Sequence, residues 1–220
     1  MPYSPDPRCP VCKGAGYLHP VIDGIVQYNQ ITPCKAEGCL LSRVRGERSQ
    51  IIQRQTFETF DDSIKGSHKA WKAASTLAYG EASFVWLLIY GRPGNGKTHL
   101  CNAMVNVLHD RGADVRMVLA ADLFSALREA IRDNRTDEIL RGYKEVEFLI
   151  IDDYGVEYGS DWESSKFDEL MTSRYALARP TVLATNKELT QLPERIQSRF
   201  QDKDMSRAIL NNAPDYRSRA

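Results

Sequence analysis

A chain of 220 residues, 42% hydrophobic and 26% charged, has room for one sizeable core and a small appendage, not for several machines in series. Its 29 basic and 29 acidic residues cancel, which argues against a globally basic nucleic-acid coat or a polyelectrolyte tail, while a local basic groove remains compatible with a neutral total. The longest apolar run, residues 84–89, falls far short of the roughly 20 residues of a membrane-crossing helix. No basic start followed by an apolar stretch opens the chain, so the expectation is a cytoplasmic protein with no membrane partner.

Disulfides are uncommon in that compartment, so the five cysteines are read as metal ligands, reactive thiols or core residues. Four fall into two pairs, Cys9-Pro10-Val11-Cys12 and Cys34-Lys35-Ala36-Glu37-Gly38-Cys39, in a segment with too few apolar residues to fold by burial alone. Two short-spaced thiolate pairs separated by a loop are the usual source of the tetrahedron that Zn²⁺ requires. Cys9, Cys12, Cys34 and Cys39 are therefore the expected zinc ligands, with His19 able to replace one thiol. The fifth, Cys101, fits core packing.

A basic, helix-permissive stretch follows to about residue 55, then Thr56-Phe57-Glu58-Thr59-Phe60-Asp61 and a helix expected over 67–81. From there strands and helices alternate. Short apolar or β-branched runs predict strands at 84–90, 115–120, 148–152, 181–185 and 207–210. Between them, Leu100, Met104, Val107 and Leu108 recur at helical spacing over 98–110, and Leu123, Phe124, Leu127 and Ile131 do so over 121–132. This alternation implies crossover units, a mainly parallel five-stranded sheet, and ligands at the carboxyl ends of its strands.

At the end of the first of these strands stands Gly91-Arg92-Pro93-Gly94-Asn95-Gly96-Lys97-Thr98, a full match to the G-x-x-x-x-G-K-[ST] phosphate-binding loop, placed after a strand and opening a helix as that motif requires. Glycines let the backbone curl its N–H groups toward phosphate oxygens, and the helix amino terminus adds partial positive charge. Gly91, Pro93, Gly94, Asn95, Gly96, Lys97, Thr98 and His99 are the expected nucleotide-contacting residues. Lys97 would neutralise the β- and γ-phosphates, and Thr98 would offer its hydroxyl to Mg²⁺.

Downstream, Phe148-Leu149-Ile150-Ile151-Asp152-Asp153 is an apolar strand ending in two carboxylates: Asp152 to hold the metal and Asp153 to orient the attacking water. Asp153 is one methylene shorter than the more usual Glu, which suits slow or conditional turnover and a switch better than a motor. Thr181-Val182-Leu183-Ala184-Thr185-Asn186 delivers a polar pair to a neighbouring strand end, where Asn186 could meet the γ-phosphate or the lytic water. Arg195 and Arg199 lie one helical turn apart, and the permanently charged planar fork of Arg199 suits a finger reaching a neighbour's ATP.

Together these motifs resemble the AAA+ ATPase core, with Walker A at 91–98, Walker B at 149–153, sensor 1 at Asn186 and an arginine finger at Arg199. More narrowly, the chain is similar to the replicative helicase loaders of the DnaC/DnaI type. The resemblance is carried by Thr56-Phe57-Glu58-Thr59-Phe60-Asp61, Ile151-Asp152-Asp153-Tyr154-Gly155-Val156-Glu157, Arg174-Tyr175 followed by Arg179-Pro180-Thr181, and Asp215-Tyr216-Arg217-Ser218-Arg219.

The resemblance implies ATP and Mg²⁺ as cofactors, a hexameric replicative helicase and single-stranded DNA as partners, and self-association in a spiral or ring that lets Arg199 complete the neighbouring ATP site. It also implies a helix pair within 121–144 bordering the DNA, where Arg128, Arg132, Arg135, Arg141 and Lys144 stand among acidic residues; a solvated mixed-charge face is the plainer reading of the same residues. The helical lid of ordinary AAA+ proteins is expected to be reduced or absent, with Arg217 a possible sensor 2 residue. The expected layout is a zinc module over 1–45, linker helices over 46–82 and the ATPase domain over 83–220. A helper ATPase of transposition, of the IstB type, shares the core motifs and is the alternative, as is a zinc-dependent adaptor in which ATP is only structural.

Overall fold

The computed structural model describes residues 17–18, 21–22, 25–26, 32–33, 54–132, 134–155 and 160–216. The chain divides into two compact units, Met1–Arg54 and Gln55–Ala220. In the first, β1 (Tyr17–Leu18) pairs antiparallel with β4 (Thr32–Pro33), and β2 (Val21–Ile22) with β3 (Ile25–Val26). Cys9, Cys12, Cys34, Cys39 and His19, with Arg217 at the other end, lie outside the described residues.

The second unit runs α1 (His68–Tyr79), β5 (Trp86–Tyr90), α2 (Lys97–Asp110), β6 (Val115–Leu119), α3 (Ala120–Arg132), α4 (Thr136–Glu145), β7 (Phe148–Tyr154), α5 (Asp161–Ala176), β8 (Thr181–Thr185), a short 3₁₀ turn (Leu189–Gln191), α6 (Glu194–Gln201) and β9 (Ser206–Leu210). Its sheet has the order β6-β7-β8-β5-β9, and every pairing is parallel.

Strand β5, between β8 and β9, shows why so apolar a run becomes a strand here. Leu87 and Ile89 enter one core with α1 and α2, while Trp86 and Leu88 enter the opposite core with α3, α5 and α6. Both faces are covered, which a parallel sheet requires. Helix α1 belongs to the first of these cores through Ala70, Ala73, Ala74, Leu77 and Ala78. Residues 55–82, read from sequence as part of a linker, thus pack with the sheet. The third strand runs two residues past its expected end at Asp152, for a reason that belongs to the site.

Arg174 on α5 is fully buried and explains the Arg174…Arg179-Pro180-Thr181 phrase. Its guanidinium donates to the carbonyls of Tyr143 (2.9 Å), Val146 (2.8 Å), Lys144 (3.2 Å), Glu147 (3.2 Å) and Pro180 (2.6 Å), and Nε donates to Thr181 Oγ1 (2.9 Å). One side chain thereby satisfies the carbonyl ends of α4 and both loops that lead into β7 and β8. Burial, and secondarily the nearby Arg179, push its pKa down to about 10, so it is still charged at neutral pH.

Candidate nucleotide site

The loop after β5 turns through left-handed backbone at Gly91, Gly94 and Gly96, with φ of 140°, 75° and 90°, conformations that side chains with a Cβ rarely adopt. Gly96 caps the amino terminus of α2. All three positions also lack space. A Cβ on Gly91 would meet the Asn211 carbonyl, one on Gly94 would run into the Asp215 carboxylate, and one on Gly96 would meet the Phe60 ring.

Lys97 is buried at the first position of α2, and its Nζ donates to the carbonyls of Gly91 (2.8 Å) and Arg92 (2.9 Å) and to Asn95 Oδ1 (3.1 Å). The ammonium is held inside the curl of the loop. Burial lowers its pKa, while Asp152 and Asp153 pull the other way. Thr98 Oγ1 donates to Asp152 Oδ2 at 2.8 Å, so the hydroxyl and carboxylate expected to share Mg²⁺ are in contact between the start of α2 and β7. Asp152 is buried, and burial raises its carboxyl above the ordinary 3.8 despite hydrogen bonds from Thr98 and the Asp153 amide. The residues fit a hard divalent ion that keeps phosphate and water oxygens, as Mg²⁺ does. Among the described residues no group of three or more His, Cys, Asp or Glu side chains forms a metal cage.

Asp153 owes its position to an irregularity in the sheet. Ile151 pairs with Leu183 and Tyr154 with Thr185, so β7 carries one residue more than β8 across this interval. The extra residue makes a bulge, a device that re-aims side chains beside sites and is unusual in a parallel pair. Asp153 has φ of 54°, a left-handed conformation that Asp tolerates better than most residues. Its Oδ1 accepts a hydrogen bond from Asn186 Nδ2 at 2.9 Å. The expected lytic acid and sensor are therefore in direct contact, with the chain Thr98–Asp152–Asp153–Asn186 running from the start of α2 across the ends of β7 and β8.

His99 is placed differently from the rest of the loop. Its Nε2–H donates to the Thr56 carbonyl (2.9 Å) and lies 3.3 Å from Thr59 Oγ1, and its ring meets the edge of Phe60. The side chain ties α2 to the Thr56-Phe57-Glu58-Thr59-Phe60 segment, and burial lowers its pKa, which favours the neutral ring. Arg199 is not brought to the loop of its own chain. Its guanidinium pairs with Asp168 (3.0 Å) and donates to Thr172, both on α5.

Sequence reasoning missed the grip on the loop from the far end of the chain. Asn95 and Asn211, both buried, exchange hydrogen bonds: Asn95 Nδ2 to the Asn211 carbonyl at 2.5 Å, and Asn211 Nδ2 to the Asn95 carbonyl at 2.8 Å. The Tyr216 amide donates to the Gly94 carbonyl (3.0 Å), and its hydroxyl to the Asp61 carbonyl (3.1 Å). The signal available was the closing Asp215-Tyr216 phrase, which gave no partner.

Fold and site together define a P-loop nucleotide-binding protein of AAA+ architecture. Residues 44–213 match the family described as IstB-like ATP binding protein, and the chain belongs to that family. It is 29% identical over 175 residues to the replicative helicase loader DnaC of Escherichia coli (strain K12), covering 77% of this chain and 71% of that one. It shares its fold with the crystal structure of the DnaC helicase loader (TM-score 0.64, 20% identity, 74% of this chain and 99% of that chain). It does so too with AMPPCP-bound DnaA from Aquifex aeolicus (TM-score 0.64, 24% identity, 72% of this chain); the chain spans half the length of that DnaA. Among the described residues no helix is long and apolar enough to cross a membrane.

Proposed function

We propose that the protein is an ATP-dependent loader of a hexameric replicative helicase, using ATP binding and hydrolysis to switch between holding and releasing the helicase on single-stranded DNA. The observation that carries the ATPase half of this reading is the contact chain Thr98–Asp152–Asp153–Asn186. Backbone N–H groups of the loop and Lys97 bind the phosphates, while Thr98 and Asp152 hold Mg²⁺, which when bound neutralises phosphate charge. Asp153, oriented by Asn186, accepts the proton of the attacking water, and Arg199 of a neighbouring subunit meets the charge that develops on the transferred phosphoryl group.

The helicase half is supported by the 29% identity to the Escherichia coli loader over 71% of its length. For the DNA, α3 and α4 offer Arg132 and Arg141 as exposed cations, whereas Arg128, Arg135 and Lys144 are ion-paired to Glu163, Glu138 and Glu169. Arg132 and Arg141 are therefore the first residues to substitute in a test of DNA contact. Zinc held by Cys9, Cys12, Cys34 and Cys39 rests on their spacing. Elemental analysis of the purified protein, expecting one zinc per chain, checks it.

The test is light scattering on the protein mixed with the replicative helicase from the same source, with ATP, with ADP and without nucleotide, beside Lys97→Ala. A nucleotide-dependent complex that Lys97→Ala cannot form is the expected result. The family is described as IstB-like, which keeps in view the second reading that the IstB resemblance implies, a helper ATPase of transposition. No helicase complex under any condition, together with DNA-stimulated hydrolysis, would replace the first reading with the second. Hydrolysis stimulated by neither partner would leave the adaptor.

A further inference from the structure

Two arginines of α6 converge on one carboxylate of α5. Arg199 Nη1 donates to Asp168 Oδ1 at 3.0 Å, and Arg195 Nη1 donates to Asp168 Oδ2. A second donor of Arg199, Nη2, reaches Thr172 Oγ1, one turn beyond Asp168 on the same face of α5. The four residues form two matched pairs at four-residue spacing on neighbouring helices. They differ in exposure: the Arg195 side chain is 78% exposed, those of Arg199 and Asp168 only 13% and 23%. Arg199 is thus the member held in place, and Arg195 covers the outer oxygen.

We propose that Asp168 is the positioning residue of the arginine finger, fixing the conformation from which Arg199 serves the nucleotide site of the next subunit. This deepens the proposed function and rests on the reading of Arg199 as a finger acting in trans. A guanidinium has five N–H donors, and Asp168 and Thr172 engage one each, so three remain for phosphate oxygens. The charges also suit the task, because two guanidinium groups against one carboxylate leave the cluster one net positive charge. A long flexible arginine ordered before it meets its ligand loses less freedom on binding, and a small displacement of such a group is enough to cost about a hundredfold in rate.

The test separates the subunit that gives the finger from the subunit that uses it. Asp153→Asn supplies an intact finger with an inactive site, and Arg199→Ala supplies an intact site with no finger, so a mixture of the two regains ATP hydrolysis that neither has alone. Placing Asp168→Ala in the Asp153→Asn donor is expected to lower the regained kcat about 10- to 100-fold with KM for ATP unchanged. Placing it in the Arg199→Ala acceptor should change nothing. Asp168→Glu in the donor should restore part of the rate, and Asp168→Asn, which keeps the shape, replaces the alanine variant should that one unfold on heating at lower temperature than its parent. A regained rate that stays within twofold, or rises, when the donor carries Asp168→Ala overturns the proposal while leaving the finger in trans. Failure of the two parent variants to complement overturns both.

Discussion

Replacing Arg174 by Met keeps the aliphatic stem and removes the guanidinium, which isolates what its hydrogen bonds contribute. Six acceptors lose their donor, but they are not equivalent. The carbonyls of Lys144, Glu147 and Pro180 are only partly buried and can be hydrated, and Thr181 Oγ1 still donates to the Arg179 carbonyl at 2.9 Å. The contacts to the Tyr143 and Val146 carbonyls are buried, and an unsatisfied buried polar group costs about 1–3 kcal/mol. These two losses come to about 2–6 kcal/mol, part of which is offset because a buried charge no longer has to be desolvated. A net loss of about 3–4 kcal/mol is expected, a large share of the 5–15 kcal/mol typical of a folded protein. For a chain of this size that corresponds to a fall in Tm of about 10 °C, read by differential scanning calorimetry with urea unfolding as a cross-check. Arg174→Lys should lose nearly as much, since one ammonium cannot span carbonyls on two loops. A loss below about 1 kcal/mol for Arg174→Met would show that the loops do not depend on the guanidinium.

Asn186→Ala should lower kcat for ATP hydrolysis about a hundredfold, the usual effect of removing one preorganised polar group, while ATP affinity measured by calorimetry changes less than twofold. Asp152, whose carboxyl is raised by burial, is more readily protonated folded than unfolded, so its ionised form costs stability at neutral pH. The cost is relieved as pH falls through the raised value toward 3.8. Mg²⁺ needs the carboxylate, so magnesium-dependent nucleotide affinity should fall over that same window as stability from this group rises, and Asp152→Asn should abolish that pH dependence along with most of the magnesium effect. Gly94→Ala, placing a Cβ against Asp215 at a φ of 75°, should weaken nucleotide binding at least tenfold in a fluorescent-analogue titration without loss of the secondary structure seen by circular dichroism.

What could be read from sequence and what could not divides along the distance between interacting residues. The loop at 91–98 was legible because its chemistry is local: eight consecutive residues, a strand before and a helix after. Asp152 and Asp153 were legible as a strand end, yet their contact with Asn186 depends on the register of β7 against β8 and on one extra residue between Ile151 and Tyr154, which no periodicity announces. Arg174 stands in the sequence within a phrase that carries the resemblance, but nothing there gives it a role. Its burial follows from where the carbonyl ends of α4 and of two loops meet, and those ends are adjacent only in the fold. Arg195 and Arg199 were correctly placed on one side of a helix, but Asp168, which receives both, carries no motif. His99 is a different case: it follows Thr98 in the loop motif, but a helix turns successive side chains by about 100°, and this side chain is aimed at Thr56.

The loop is gripped from two directions, and the two grips differ in kind. On one side His99 and Phe60 fasten α2 to the 56–60 segment that leads into α1, and Phe60 lies against Gly96 and near Tyr216. On the other, Asn95 and Asn211 exchange hydrogen bonds across 116 positions, and the Asn211 amide also donates to the Tyr90 carbonyl at the end of β5. Paired buried amides tolerate little displacement, because a slip of one leaves a polar group on each partner without water. The loop therefore cannot shift its phosphate-binding curl and leave the end of β9 where it is. Residues 211–216 are bonded to the loop at Asn95 through the side-chain amides of Asn95 and Asn211 and at Gly94 through backbone atoms, so the carboxyl-terminal segment is part of what holds the phosphate-binding curl.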